Sequence, residues 1–177
     1  MITTSRIGIP MKIRAEKTDD IEKIRDLNNV VLETSSEAEV VDKLRNDARH
    51  TISIVAEDGH SIVGHIMFTP VAIEKSEELR LMSISTMAVL QEYQKRGIGS
   101  LLVKSGVMQC RNLDIGAVVA IGDMQYFSRF GFLPATQYGL SCELEHAGDV
   151  LMIKELLPGY LNGITGTVVY HPAFRRV

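Results

Sequence analysis

One run of residues constrains this chain more than any other. An apolar stretch, Leu79 to Leu90, leads into Gln94-Lys95-Arg96-Gly97-Ile98-Gly99-Ser100, and a helical pattern follows from about Ser100 to Leu113. A strand, a glycine turn and a helix in that order aim the backbone amides of the turn at one point, where the helix dipole adds partial positive charge. Such a point suits a phosphate or pyrophosphate, and Lys95 and Arg96 add formal charge beside it. Two common phosphate loops do not fit. A P-loop needs Gly, four residues, Gly-Lys and then Ser or Thr, and that order is absent. The dinucleotide fingerprint needs a third glycine where Leu102 stands, and it opens a domain, whereas two helical stretches and several strands precede this loop.

The rest of the chain reads as one α+β domain. Met11 to Arg14 is the natural first strand, and residues 1–10, with Gly8 and Pro10, form an N-terminal extension to a single domain over 11–177. A helix is predicted from Thr18 or Asp19, with Asp19 and Glu22 at capping-box spacing and Ile21, Ile24, Leu27 and Val31 as its apolar stripe. A second helix begins at Ser36, with Glu39 as capping partner and Ala38, Val41, Leu44 and Ala48 as its inner face. Thr51–Glu57 and Ser61–Ile73 read as a hairpin around Asp58-Gly59, and Leu79–Leu90 continues the meander. After the loop helix come strands at Gly116–Ile121, Thr136–Cys142, Val150–Leu156 and Gly166–Tyr170, with a short helix at Gln125–Phe130.

The loop and its flanks carry a resemblance. Met87-Ala88-Val89 followed by Gln94-Lys95-Arg96-Gly97-Ile98-Gly99 resembles the acetyl-CoA loop of the GNAT N-acetyltransferase family. Gly122-Asp123, Tyr126 and Arg129-Phe130-Gly131-Phe132 look like that family's later helix and its exit into a strand. Gly64-His65-Ile66 and the tail from Leu161 to Phe174 are similar to its YhbS-like subgroup. The resemblance implies a mixed, mostly antiparallel sheet flanked by helices, with a splayed parallel strand pair at the acetyl-CoA site. It implies CoA or acetyl-CoA as co-substrate, bound by Met87, Ala88, Val89, Gln94, Lys95, Arg96, Gly97, Ile98, Gly99 and Ser100. It implies direct acetyl transfer to a small-molecule or peptide amine. A non-catalytic acyl-CoA-binding or regulatory domain is the alternative.

Transfer from a thioester to an amine needs a neutral amine, a donor for the oxyanion and a proton for the thiolate. By resemblance, the main-chain N–H at about Val89 polarises the thioester carbonyl. The family's tyrosine acid, four residues before Gly-Phe, falls here on Phe127, and Tyr126 lies one position earlier, about 100° around a helix. Tyr126 is therefore the candidate acid, set against a packing role. No carboxylate lies on Ser83–Val89, so mid-strand His65 is the candidate base, set against a structural hydrogen bond. Glu33, Glu37 and Glu39 flank the helix linker and read first as solvated caps.

Composition excludes more than it selects. A formal charge of −3 gives no global field for nucleic acid or anionic lipid. No apolar run approaches the roughly 20 residues of a membrane span. Cys110 and Cys142 make neither a disulfide framework nor a metal spacing, so no metal is expected and the default location is the cytoplasm. A homodimer paired through the C-terminal strand is a further expectation.

Overall fold

A computed structural model describes residues 11–32, 35–47, 50–144 and 150–176. The proposed extension, together with Glu33, Thr34, Ala48 and His146, lies outside them. The elements are β1 (Lys12–Ala15), α1 (Ile21–Val31), α2 (Ser35–Asp47), β2 (Ile52–Asp58), β3 (Ser61–Ile73), β4 (Leu81–Val89) and α3 (Ile98–Asn112). They continue with β5 (Ala117–Gly122), α4 (Met124–Ser128), β6 (Leu133–Pro134), β7 (Leu140–Cys142), β8 (Val150–Glu155) and β9 (Gly166–Val169).

The main sheet runs β1-β2-β3-β4-β5-β8-β6, with β9 joined to β3 and β7. Along the main path only β4–β5 is parallel, because α3 carries the chain back across the sheet. β7–β9 is a second parallel pair, off that path. The β4–β5 pairing stops at Ile84↔Ala120, although β4 continues to Val89 and β5 to Gly122. The two strands therefore splay at the end where the glycine loop begins. Both edges of β9 are used inside the chain, by β3 and β7. This corrects the expected pairing of that strand across a dimer.

Apolar alternation splits the sheet into two covered faces. Ile54, Ile66 and Phe68 pack with Leu102 and Val103 of α3. On the other face, Val55 and Ala88 meet Ile24 and Leu27 of α1, and Met67 meets Val40, Val41 and Leu44 of α2. The hairpin turn is Gly59-His60, with Asp58 paired to Ser61 and Gly59 at φ +64°. The Thr136–Cys142 expectation is corrected. Ala135–Tyr138 is a 3-10 turn, and Gly139, at φ +69°, ends it before the short β7.

The cap of the first helix is also corrected. A 3-10 turn at Thr18–Asp20 precedes α1, and the acid it uses is Asp20, whose Oδ2 accepts the Lys17 N–H at 2.8 Å. Asp20 is chosen because it is buried against Arg14, with Nη1 at 2.6 Å and Nη2 at 3.1 Å, while Glu57 takes the same guanidinium at 2.9 and 3.0 Å. Arg14 holds the Asp20 carboxyl below its ordinary 3.8. A depressed folded pKa gives stability that is present above the unfolded value and lost as pH falls through the folded one. Asp20→Asn should therefore cost about 1–3 kcal/mol at pH 7 and flatten the loss of stability below the ordinary 3.8, as read by urea unfolding across pH 2–7. An unchanged acid limb would show that other carboxylates set it.

Candidate active site

The glycine loop is built as a turn onto a helix. A 3-10 turn, Gln91–Tyr93, follows β4, and Gln94 Nε2 donates to Val89 O at 3.0 Å, tying the loop back to the strand end. Lys95 and Gly97 take positive φ values of +58° and +84°, and Gly97 is the N-cap of α3. The first bond across that helix start is Leu101 N–H to Gly97 O at 3.0 Å. The amides of Ile98, Gly99 and Ser100 are consequently the orphan donors of a helix N-terminus. They are aimed where the dipole is positive. α3 begins at Ile98, two residues earlier than its apolar pattern indicates.

These amides border a cavity of about 470 Å³. It is lined by Met87 and Val89 of β4, by Gln94, Lys95 and Gly97 to Ser100 of the loop, and by Tyr126 and Arg129. Eight of the ten residues expected to hold the cofactor line it, all but Ala88 and Arg96. Ala88 is 1% exposed and packs beneath α1. Arg96 is exposed, with its guanidinium 5.4 Å from the Tyr93 ring centroid. Ile98 contributes mainly backbone, since its side chain is in the core. Sequence reasoning did not single out Val31, Tyr93 or Arg129, which also line the cavity. Arg129 alone carried a signal, its place in the Arg-Phe-Gly-Phe run.

The structure separates Tyr126 from Phe127. Gly122 takes φ +154°, and Asp123 Oδ1 caps α4 by accepting the amides of Gln125 at 2.6 Å and Tyr126 at 3.1 Å. This fixes the frame of a helix only five residues long. Phe127 turns into the core against Phe132, at 5.6 Å between centroids. Tyr126 faces the cavity, and its hydroxyl donates to Met87 Sδ at 3.7 Å. A Cβ on Gly99 would stand 2.8 Å from that hydroxyl, so the phenol rests over the first turn of α3. Arg129 stacks on the ring at 4.6 Å. Burial raises the phenol's pKa above its ordinary 10 and Arg129 opposes the rise, so the hydroxyl keeps its proton at neutral pH.

His65 is placed differently from a cavity-lining base. Gly64 beside it faces Ile98 and Leu102 of α3, so His65 points to the opposite face, beneath α1 and α2. It is fully buried, and burial, reinforced by Arg45 and opposed by Glu16, pushes its pKa down to about 4. The expected imidazole titrating near neutrality is corrected accordingly. Among the described residues, no cluster of His, Cys, Asp and Glu could hold a metal, and no helix is long and apolar enough to cross a membrane. Glu39 is exposed.

Residues 19–132 match the model of the acetyltransferase (GNAT) family. Over 167 residues the chain is 33% identical to the uncharacterized N-acetyltransferase YhbS of Escherichia coli K12, covering 94% of this chain and 99% of the relative. The crystal structure of YhbS from Escherichia coli in complex with CoA superposes with a TM-score of 0.89 at 30% identity, over 98% of this chain and 96% of that one. A GNAT family acetyltransferase from Brucella melitensis in complex with acetyl-CoA gives a TM-score of 0.77 at 30% identity, over 93% and 98% of the two chains.

Proposed function

The chain belongs to the GNAT family of acetyltransferases, and from that premise we propose how its own residues carry the reaction. It is an N-acetyltransferase, with acetyl-CoA as co-substrate and an acceptor amine. The CoA pyrophosphate lies on the amides of Lys95 to Ser100, with Lys95 and Arg96 as nearby counter-charge. Pantetheine follows Met87 and Val89 along the edge of β4 that β5 leaves free. The observation that carries this reading is the splay itself: β4 and β5 part after Ile84↔Ala120, directly beside the cavity at the α3 N-terminus.

Within that frame Tyr126 protonates the departing CoA thiolate. Its hydroxyl already reaches a sulfur on β4, that of Met87, and it remains protonated at neutral pH. The amide of Val89 donates to the oxyanion. The acceptor is a small-molecule or peptide amine, and the working compartment is the cytoplasm, where acetyl-CoA is spent. Any homodimer that pairs strands uses edges other than those of β9.

Calorimetry with CoA, paired with thiol release from acetyl-CoA against a panel of amines, tests the reading. Micromolar CoA binding with amine-dependent thiol release is expected. Binding without turnover on any amine would leave an acyl-CoA-binding domain instead. A thiol with pKa near 8.5 leaves without much help, so Tyr126→Phe should lower kcat only about tenfold and leave CoA affinity within a factor of two. Equal kcat values for the two proteins across pH 6–9 would remove Tyr126 from the mechanism.

A further inference from the structure

Buried polar atoms rarely stay without a partner. Among the described residues, the side-chain amide of Asn28, Nδ1 of His65 and Oγ1 of Thr86 are buried and have none in the protein. All three belong to one seam. Asn28 is fully buried on α1, three residues before Val31, which borders the cavity, and residues three apart share a helix face. His65 is the cross-strand partner of Ala88, and Thr86 is the partner of Met67. Ala88 and Met67 face α1 and α2, so His65 and Thr86 do too. His65 and Thr86 thus lie on the side of the sheet that α1 and α2 cover, and Asn28 lies on the α1 face that leads to Val31 at the cavity. The three groups supply the two to four polar partners that a buried water needs.

The other imidazole nitrogen leads outward. Nε2 lies 2.9 Å from Ser53 Oγ, and the Ser53 hydroxyl donates to Glu16 Oε2. With the serine proton committed to the carboxylate, Nε2 carries the imidazole N–H and Nδ1 is a bare lone pair. Arg45 of α2 grips Glu16 at 2.7 and 3.0 Å, and Asp42 holds Arg45 at 2.8 Å. We propose that His65, Ser53 and Glu16 form a proton relay for the acceptor amine, in which His65 changes tautomer and not charge. The proposal rests on the acetyl-transfer reading above.

The ammonium proton of the acceptor passes through the seam water to Nδ1. Nε2 gives its proton to Ser53 Oγ, and the serine's own proton moves to Glu16 Oε2, whose side chain is 12% exposed and passes it to solvent. The freed nitrogen lone pair forms the C–N bond, the C–S bond of the thioester breaks with Tyr126 protonating the departing thiolate, and the acceptor nitrogen's second proton restores the Tyr126 hydroxyl. Once product leaves, Nδ1 returns its proton to the opened cavity, and Glu16 and Ser53 restore the Nε2 proton from solvent. The depressed pKa of about 4 fits this scheme, because an imidazolium is disfavoured where tautomer exchange is not. In this relay His65 receives the substrate proton at Nδ1, and Ser53 and Glu16 act through His65 by carrying the Nε2 proton outward.

The test combines tautomer and rate. Nitrogen-15 NMR of histidine-labelled protein should show His65 with a protonated Nε2, a bare Nδ1 and no titration from pH 5.5 to 8. Kinetics use acetyl-CoA with the fastest amine from a panel of polyamines, aminoglycosides, aralkylamines and peptide N-termini. Ser53→Ala should lower kcat at least tenfold at pH 7 while leaving KM for acetyl-CoA unchanged. The loss should shrink as pH approaches the amine's own pKa, where the amine arrives neutral. Ser53→Thr, which keeps the hydroxyl, should restore most of the rate. A protonated Nδ1, equal rates for Ser53→Ala and the parent, or a deficit that persists at high pH would overturn the relay alone. Failure of every amine to release thiol would overturn the transfer reading, and the relay with it.

Discussion

Gly97→Val is expected to weaken CoA binding at least a hundredfold while leaving the fold nearly intact. Gly97 sits at φ +84° as the N-cap of α3. A residue with a Cβ pays about 1–2 kcal/mol in the left-handed region, and a β-branched one pays more. The space around a Cβ there is open, so crowding is not the objection. The backbone torsion is. The loop is expected to relieve the strain by turning to negative φ, which swings the amides of Gly97 and Ile98 off their common target. Each charge-assisted hydrogen bond to a phosphate contributes about 1.5–3 kcal/mol, and each 1.4 kcal/mol is tenfold in affinity. Losing two such bonds reaches the hundredfold figure. Calorimetry with CoA reads the affinity, and a melting curve reads the fold. Gly97→Ala should fall between the parent and Gly97→Val. Parent-like affinity in Gly97→Val would dismiss the loop as the pyrophosphate seat, whereas a large drop in Tm would move the explanation to folding.

The loop was legible in the sequence because its determinants are local. Glycine spacing, a preceding apolar strand and a following helix are all contained in Leu79 to Leu113, and the structure places them in that order. The aromatic pair downstream was not decidable in the same way. Tyr126 and Phe127 differ by about 100° on a helix, and which one meets the cavity depends on where a five-residue helix begins. That start is set by the Gly122 torsion and the Asp123 cap. Position by position against the family pattern, Phe127 occupies the tyrosine's place; in the structure, Tyr126 lines the cavity and Phe127 is buried in the core.

His65 shows a different limit. Strand alternation gives the face of a side chain but not what covers it. Glu16, Arg45 and Ser53 converge on that imidazole from β2, α2 and the segment after β1. No short-range pattern connects them. The α1 cap turns on a nearer contact. Asp19 with Glu22 had the spacing, but Asp20 had the partner, Arg14 on β1, which Glu57 of β2 also holds.

The second large effect tests the support beneath the loop. Gly106 lies mid-way along α3, where a Cβ would come within 2.0 Å of the Phe68 ring. Phe68 is fully buried with Ile54, Leu102 and Val103 around it, so the ring has nowhere to swing. Gly106→Ala gains up to about 1 kcal/mol of helix propensity, but overpacking of a tight core costs about 1–3 kcal/mol or more. At 2.0 Å the clash should win, and adding the branches in Gly106→Val should bring the net loss to about 3 kcal/mol. For a chain of this size that is roughly 6–12 °C in Tm. The consequence reaches the site. Gly106 is about 12 Å along the helix axis from Ile98 at a rise of 1.5 Å per residue, and a helix lifted off β3 carries its N-terminal amides with it. CoA affinity should therefore fall together with Tm, unlike in Gly97→Val, where affinity falls almost alone. Trimming the ring with Phe68→Leu in the Gly106→Ala background should recover part of both, giving a favourable coupling in a double-mutant cycle. Additive losses would mean that helix and ring do not press on each other, and that the close approach of α3 to the sheet is not what holds the loop at the mouth of the splay.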